Sequence, residues 1–223
     1  MIPWETLDSA PLPGGGELRL KRRGAEFSIM LGGNELMNSR LSGSEEALAG
    51  LAAERLSGRK APRILIGGLG MGFTLRAALA TFDADARIEV AELVPQVLAW
   101  ARGPMAGLFA GCLDDARVDV ALSDVGALIA AAPARYDAIL LDVDNGPDGL
   151  TMAANDALYD DAGLAAAREA LTRGGLLAVW SQGPDHSFTQ RLKRAGFAVE
   201  EAEVRAGRGG RGKRHVIWLA QRR

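Results

Sequence analysis

The chain has 223 residues, of which 48% are hydrophobic and 24% charged, and its formal net charge at pH 7 is -2. This length allows one α/β domain with a small additional unit and excludes two large domains, while the composition excludes a disordered chain. The slightly negative charge argues against a protein that coats nucleic acid. The sequence has one cysteine, Cys112, so an intramolecular disulfide is excluded, in agreement with a reducing cytoplasm.

The N-terminus has no basic region followed by an apolar run, so no signal peptide is expected. No segment reaches the ~18 consecutive apolar residues that a membrane span needs. The sequence therefore predicts a cytoplasmic protein without membrane contact.

Residues 1–58 are predicted to form a small N-terminal unit. Short alternating runs within residues 14–38 are separated by glycine-containing turn signals, which predicts a β-meander. A helix follows, capped by Ser42 or Ser44, and runs to about Leu56.

Residues 59–223 are predicted to form the main α/β domain. Strands and helices alternate, and the longest predicted helix runs from about Ala153 to Thr172. The seven predicted strands are Ile64–Gly67, Arg87–Ala91, Arg117–Ala121, Asp137–Leu141, Leu176–Ser181, Val199–Val204 and His215–Leu219. Alternation of this kind gives parallel strands, but residues 206–213 are too short for a crossover helix, so the last two strands should pair antiparallel. The prediction is a Rossmann-like methyltransferase fold, with a seven-stranded, mostly parallel sheet that ends in an antiparallel hairpin.

An apolar strand breaks into a glycine-rich loop just before the first helix of the main domain. The glycines of this loop are Gly67, Gly68, Gly70 and Gly72. A strand, a glycine loop and a helix, with an acid ending the next strand, are typical of an adenosine-binding βαβ unit. The glycines let the backbone approach the ligand, because a Cβ there would collide with it. Glu92 ends the next strand and is placed to accept hydrogen bonds from ribose hydroxyls.

Acids also follow the third and fourth strands, and the carboxyl ends of parallel strands form the ligand-binding edge of such a sheet. Asp124 could contact an adenine amine or cap the helix that follows it. Asp142 and Asp144 come after a buried strand, where desolvation and like charge could raise one pKa toward neutrality. One of them could take a proton from an amine or hold a cation. Alternatively, the segment only forms a turn.

Two further features of the sequence concern metal binding and anion binding. His186 and His215 have no metal-ligand spacing with another donor, so no metal is expected. The arginine-rich segment 205–214 predicts either a solvated hairpin tip or a clamp for an anionic substrate or RNA.

With these residues in place, the chain resembles the spermidine synthase family, aminopropyltransferases built on the methyltransferase fold. The resemblance covers the layout of nearly the whole chain, and the glycine loop stands where the family has Gly-Gly-Gly-Asp-Gly-Gly. Glu92 matches the ribose-binding acid, and Asp124-Val125 matches the adenine-contacting Asp-Ala pair. Asp142 matches the first acid of Asp-Ser-Ser-Asp-Pro, the proposed base, whereas the second acid, Asp144, is spaced differently.

The resemblance implies transfer of an aminopropyl group from decarboxylated S-adenosylmethionine to a polyamine acceptor such as putrescine, and it implies a homodimer. One departure concerns Gly70, which stands where the family has an aspartate that binds the donor's amine. Without that acid, the site loses a repulsive element against the carboxylate of intact S-adenosylmethionine. A methyltransferase acting on a small or anionic acceptor is therefore the second hypothesis. The remaining hypotheses are a catalytically silent nucleoside-binding protein and an NAD-dependent enzyme. In the latter, Glu92 could hold a ribose of the dinucleotide.

Overall fold

The computed structural model describes residues 2–13, 15–143, 153–207 and 211–223. Over these ranges the chain forms a four-stranded N-terminal sheet and a seven-stranded main sheet with eight α-helices. No helix within the same ranges is long and apolar enough to cross a membrane.

The N-terminal sheet is an antiparallel meander, as predicted, with the strand order β1-β2-β3-β4. Its first strand, β1, lies before the predicted range of residues 14–38. Its strands are β1 (Glu5–Pro11), β2 (Glu17–Arg23), β3 (Glu26–Leu31) and β4 (Asn34–Asn38). The sequence does not predict β1, because this strand presents one buried residue, Ala10, instead of a clear alternation. In β2, by contrast, Leu18 and Leu20 alternate inward, and both are buried.

The predicted helix after the meander is α1 (Gly43–Arg55). Ser42 precedes it and its carbonyl accepts the Glu46 N–H, but the Ser42 hydroxyl donates to Glu46 Oε1 at 2.9 Å instead of capping a backbone N–H. Leu48, Ala49 and Ala52 are completely buried and join the core. The division of the chain after residue 58 stays a prediction.

The main sheet has the strand order β10-β11-β9-β8-β5-β6-β7. In chain order, its elements are β5 (Arg63–Gly67), α2 (Phe73–Thr81), β6 (Arg87–Glu92), α3 (Pro95–Arg102), α4 (Ala106–Phe109), a 3-10 turn (Cys112–Asp114), β7 (Val118–Leu122), α5 (Val125–Ala130), β8 (Tyr136–Leu141), α6 (Ala153–Tyr159), α7 (Asp161–Ala170), β9 (Leu171–Ser181), α8 (His186–Arg194), β10 (Phe197–Gly207) and β11 (Arg211–Arg222).

The pairing confirms the predicted fold. Strands β7, β6, β5, β8 and β9 are parallel, β11 pairs antiparallel with β9, and β10 pairs antiparallel with β11. β5 pairs with β6 on one side and with β8 on the other. The direction in which strands are added therefore reverses next to β5, and ligands bind beyond the carboxyl ends of the strands at such a switch point.

The predicted single helix from Ala153 to Thr172 is wrong, because the segment forms α6 and α7 and then enters β9. The helix is interrupted at Asp160, whose Oδ1 accepts the Gly163 N–H at 2.7 Å and so caps α7. A Cβ at Gly163 would overlap the carbonyl oxygen of Ala157, so the two helices can approach closely only with glycine there. β9 consequently starts five residues earlier than the predicted strand (171 against 176).

Candidate functional site

The glycine loop joins β5 to α2 at the switch point of the sheet. Gly68, Gly70 and Gly72 have φ values of +91°, +49° and +75°, which side chains rarely allow. A Cβ at Gly68 would lie 2.8 Å from the Asp142 carbonyl oxygen, and one at Gly72 would lie 2.5 Å from Phe109. These glycines thus let the loop pack against the protein itself.

Only part of the predicted loop lines the cavity at this edge of the sheet. Gly68 and Gly70 do so, whereas Gly67 and Gly72 are absent from the described lining. A Cβ at Gly67 would lie 3.1 Å from both Leu141 and Val125, so that position serves the packing of the strands. Ligand binding by these four glycines stays a prediction.

Glu92 ends β6 and reaches back to the glycine loop. Its Oε2 accepts the Leu69 N–H at 3.1 Å, its Oε1 accepts the Val94 N–H at 2.8 Å, and the residue is 7% exposed. Burial raises the pKa of Glu92, and the backbone hydrogen bonds act in the opposite direction. Glu92 lines the cavity, so one carboxylate both holds the loop in shape and faces the place where a ligand would bind.

Asp124 and Val125 stand at the start of α5 and both line the cavity. Asp124 Oδ1 accepts the Ala127 N–H at 2.9 Å, so the capping role considered from the sequence is present. The contact with adenine stays a prediction for this pair.

Asp142 follows β8 directly, and it lines the same cavity as Glu92. The Thr74 hydroxyl donates to Asp142 Oδ2 at 2.7 Å. Desolvation raises the pKa of Asp142 to about 6, although the hydrogen bond from Thr74 lowers it. Asp144, the second predicted catalytic acid, lies outside the described residues, as do residues 208–210 of the arginine-rich segment.

A second acid at this end of the cavity, Glu45, was not among the residues predicted from the sequence. It lies in the first turn of α1, where an acid is expected simply because it faces the positive end of the helix dipole. The Ser44 hydroxyl donates to Glu45 Oε2 at 2.8 Å, and the Thr74 hydroxyl lies 3.5 Å from the Glu45 carbonyl oxygen. Desolvation, together with the nearby charge of Asp142, raises the pKa of Glu45 to about 7.

The cavity has a volume of about 210 Å³ and mostly aliphatic walls. The N-terminal sheet supplies one wall, through Leu18, Ile29, Leu31, Leu36 and Met37. Glu45, Glu92, Asp124 and Asp142 are the acids of the described lining, and that lining has no Lys, Arg or His. The site therefore favours a cationic ligand with an apolar part. The described residues contain no group of three or more His, Cys, Asp or Glu that could hold a metal ion.

Met37 of the N-terminal sheet contacts the glycine loop. Its Sδ accepts the Met71 N–H at 3.2 Å and would lie 2.9 Å from a Cβ at Gly70. The space beside Gly70 is thus taken by a flexible thioether instead of a carboxylate.

The hairpin β10–β11 packs on the start of α1. A Cβ at Gly43 would lie 2.9 Å from the Arg205 carbonyl oxygen and 3.0 Å from that of Gly207. The described part of the arginine-rich segment therefore fixes the helix end that carries Glu45.

No protein-family model matches the chain. It is 31% identical over 150 residues to the polyamine aminopropyltransferases of Mycobacterium tuberculosis strains CDC 1551 and H37Rv. This match covers 63% of the chain and only 28% of the length of either relative.

Several solved structures are similar to the described fold. Spermidine synthase from Thermotoga maritima has a TM-score of 0.77 at 16% identity, over 98% of this chain and 73% of that one. A spermidine synthase in complex with the transition-state analogue AdoDATO has a TM-score of 0.75 at 16% identity, over 98% and 72%. A probable spermidine synthase from Corynebacterium glutamicum has a TM-score of 0.64 at 17% identity, over 97% and 79%.

The fold and the site define an α/β protein of the methyltransferase type, in which an N-terminal antiparallel sheet closes an acidic cavity at the switch point. Its sequence relatives are polyamine aminopropyltransferases, and spermidine synthases share its fold. The resemblance predicted from the glycine loop and the acids is confirmed to this extent: the chain is similar in sequence to polyamine aminopropyltransferases and in fold to spermidine synthases.

Proposed function

We propose that the protein transfers an aminopropyl group from decarboxylated S-adenosylmethionine to an amine acceptor. The observation that carries this proposal is the four-acid lining of one cavity at the switch point, without a cationic side chain in its described part. The similarity to polyamine aminopropyltransferases supports the same reaction, as does the fold shared with a spermidine synthase that binds AdoDATO. The cytoplasmic location and the homodimer that the resemblance implies stay predictions.

The donor's adenosine would lie along the glycine loop, with Glu92 accepting from the ribose hydroxyls and Asp124 next to the adenine. Decarboxylated S-adenosylmethionine carries a sulfonium and an ammonium and no carboxylate. Intact S-adenosylmethionine would bring its carboxylate into an acidic cavity of low polarity, where like charges repel strongly. Charge complementarity therefore supports the decarboxylated donor although Gly70 carries no acid.

Asp142 would act as the base. An amine attacks only as the free base, so a carboxylate at the reacting end must take its proton. The pKa of Asp142 is raised toward neutrality, which brings the carboxylate closer to the basicity that proton transfer needs. Attack next to a sulfonium then requires little beyond alignment of the nitrogen, the carbon and the sulfur.

A methyltransferase that uses intact S-adenosylmethionine is the second candidate, and the geometry at Gly70 favours it. Met37, a neutral side chain, stands beside Gly70, so nothing at that point of the described loop repels a carboxylate. A silent nucleoside-binding protein would use the same loop and Glu92 without turnover.

Calorimetric titration separates these functions. Purified protein is titrated with decarboxylated S-adenosylmethionine, methylthioadenosine, S-adenosylmethionine and S-adenosylhomocysteine. Tighter binding of the first two, together with release of methylthioadenosine in the presence of putrescine, is the expected result. Preference for the last two would favour the methyltransferase, and binding of none would contradict the adenosine site.

Asp142→Asn tests the base. Its turnover should fall by about 10²-fold or more, while donor affinity stays close to that of the wild type. Unchanged turnover would remove Asp142 from the base role.

A further inference from the structure

Glu45 and Asp142 come from different elements of the fold and line the same cavity. Glu45 is held by α1, whose start packs under the β10–β11 hairpin at Gly43, and Asp142 is held by the end of β8. Thr74 of α2 lies between them, since its hydroxyl donates to Asp142 Oδ2 and lies 3.5 Å from the Glu45 carbonyl oxygen. Three elements thus fix the two carboxyl groups at one end of the cavity.

The two acids have no cationic partner in the described part of the chain. No ion pair joins Glu45 or Asp142 to a described Lys or Arg, and the bonds to their carboxylates come from the hydroxyls of Ser44 and Thr74. Two ionised carboxylates in an apolar cavity repel each other and lose hydration. Sharing one proton relieves this repulsion, and burial raises the pKa of both acids in the direction that favours it.

We propose that Glu45 and Asp142 together form the subsite that receives the acceptor amine as an ammonium ion, and that the pair takes the proton this amine must lose before it attacks. The inference rests on the proposed function and assigns Glu45, a residue from outside the glycine loop and the strand ends, to the acceptor. The ligand of this subsite is a primary ammonium group.

The charges balance through the step. Two carboxylates with a docked ammonium carry one net negative charge. After proton transfer, a neutral amine stands beside a pair that holds one proton, and the net charge is the same. The shared proton relieves the repulsion between the two carboxylates, so the transfer is easier than to a lone ionised carboxylate.

The bond changes begin with attack by the free amine. The nitrogen lone pair forms a bond to the donor's CH₂ next to the sulfonium, the C–S bond breaks, and its electron pair stays on sulfur. Sulfur leaves as the neutral thioether of methylthioadenosine. The new secondary ammonium is the product, and the proton on the carboxylate pair returns to solvent when the product leaves.

The test compares Glu45→Gln with Glu46→Gln. Glu46 is the neighbouring residue in the same helical turn, but it does not line this cavity in the described structure. Release of methylthioadenosine is measured with putrescine as acceptor from pH 6 to 9, and donor affinity is measured separately by calorimetry.

Glu45→Gln should raise the acceptor KM at least tenfold and move the acid limb of kcat/KM to lower pH by about one unit, because Asp142 loses its charged neighbour. Donor affinity should stay within about twofold, Glu46→Gln should behave like the wild type, and Glu45→Asp should recover part of the acceptor binding. An acceptor KM and a pH profile unchanged in Glu45→Gln would overturn the inference.

The proposed function and this inference can fail separately. If the wild type binds the donor but never releases methylthioadenosine, aminopropyl transfer is contradicted, and putrescine binding to the donor-loaded protein is then measured by calorimetry. Loss of that binding in Glu45→Gln but not in Glu46→Gln would support the ammonium subsite, whereas equal binding in all three proteins would overturn it.

Discussion

Replacing Glu45 by Gln should make the ligand-free protein more stable above neutral pH and change its stability much less near pH 5. The folded state raises the pKa of Glu45 from 4.5 to about 7 and that of Asp142 from 3.8 to about 6. An acid with a raised folded pKa supports folding fully below its unfolded pKa. It loses this contribution as the pH rises through the folded value.

The size of the effect follows from the shifts. Each pKa unit corresponds to about 1.4 kcal/mol, so between pH 5 and 8 Glu45 alone would cost about 2 to 3 kcal/mol of unfolding free energy, and Asp142 about 1 kcal/mol. The two costs overlap, because the charge of Asp142 is one cause of the Glu45 shift. We expect about 3 kcal/mol for the pair, of which Glu45→Gln should restore about 2 kcal/mol at pH 8.

Urea unfolding of the wild type, Glu45→Gln and Glu46→Gln at pH 5, 6, 7 and 8 measures this difference. Other titrating groups are common to the three proteins and cancel in the comparison. The reasoning is refuted if the free energy of unfolding of Glu45→Gln follows the same pH dependence as that of the wild type. It is also refuted if Glu46→Gln shows the same gain at pH 8.

Substitutions at Glu92, Asp124 and Gly72 test the site and the fold. Glu92→Gln should weaken donor binding about tenfold or more, because hydrogen bonds to a charged group contribute about 1.5–3 kcal/mol, and a calorimetric Kd equal to that of the wild type would contradict the ribose role. Asp124→Ser should keep the helix cap and the stability, while Asp124→Ala should lose about 1 kcal/mol of unfolding free energy in urea. Weaker donor binding in both variants would indicate that Asp124 contacts the ligand. Gly72→Ala should cost about 1–3 kcal/mol of stability, because its Cβ would lie 2.5 Å from Phe109 at a positive φ, whereas Gly107→Ala, whose Cβ meets nothing within 4 Å, should cost none.

Local patterns in the sequence were sufficient for the main sheet. The β5 run is apolar at every position after Arg63 because both faces of a central parallel strand are covered, and the glycines that follow mark its end. Glu92, Asp124 and Asp142 were found because the carboxyl ends of parallel strands must meet at one edge. Each of these features depends on a few neighbouring residues, so it can be predicted without knowing which distant segments are in contact.

The roles of the glycines required the structure. Gly72 is needed because Phe109 of α4 packs against it, and a sequence pattern cannot distinguish that contact from contact with a ligand. The break at Asp160 was missed for a related reason. The segments 153–159 and 164–170 are both rich in alanine, the strongest helix former, whereas the Asp160 side chain accepts the Gly163 N–H and starts a new helix.

The acidic lining of the sheet edge was thus determined by the sequence alone, and the second wall of the cavity was decided by tertiary structure. Met37 and Glu45 belong to the N-terminal sheet and α1, whose local patterns indicate only a strand and a helix start with acids in its first turn. The docking of that sheet and helix over the carboxyl ends of β5 and β8 brings Met37 to Gly70 and Glu45 to Asp142. Such contacts between distant segments depend on how whole surfaces pack against each other. The hydrophobic periodicity of one segment does not predict them.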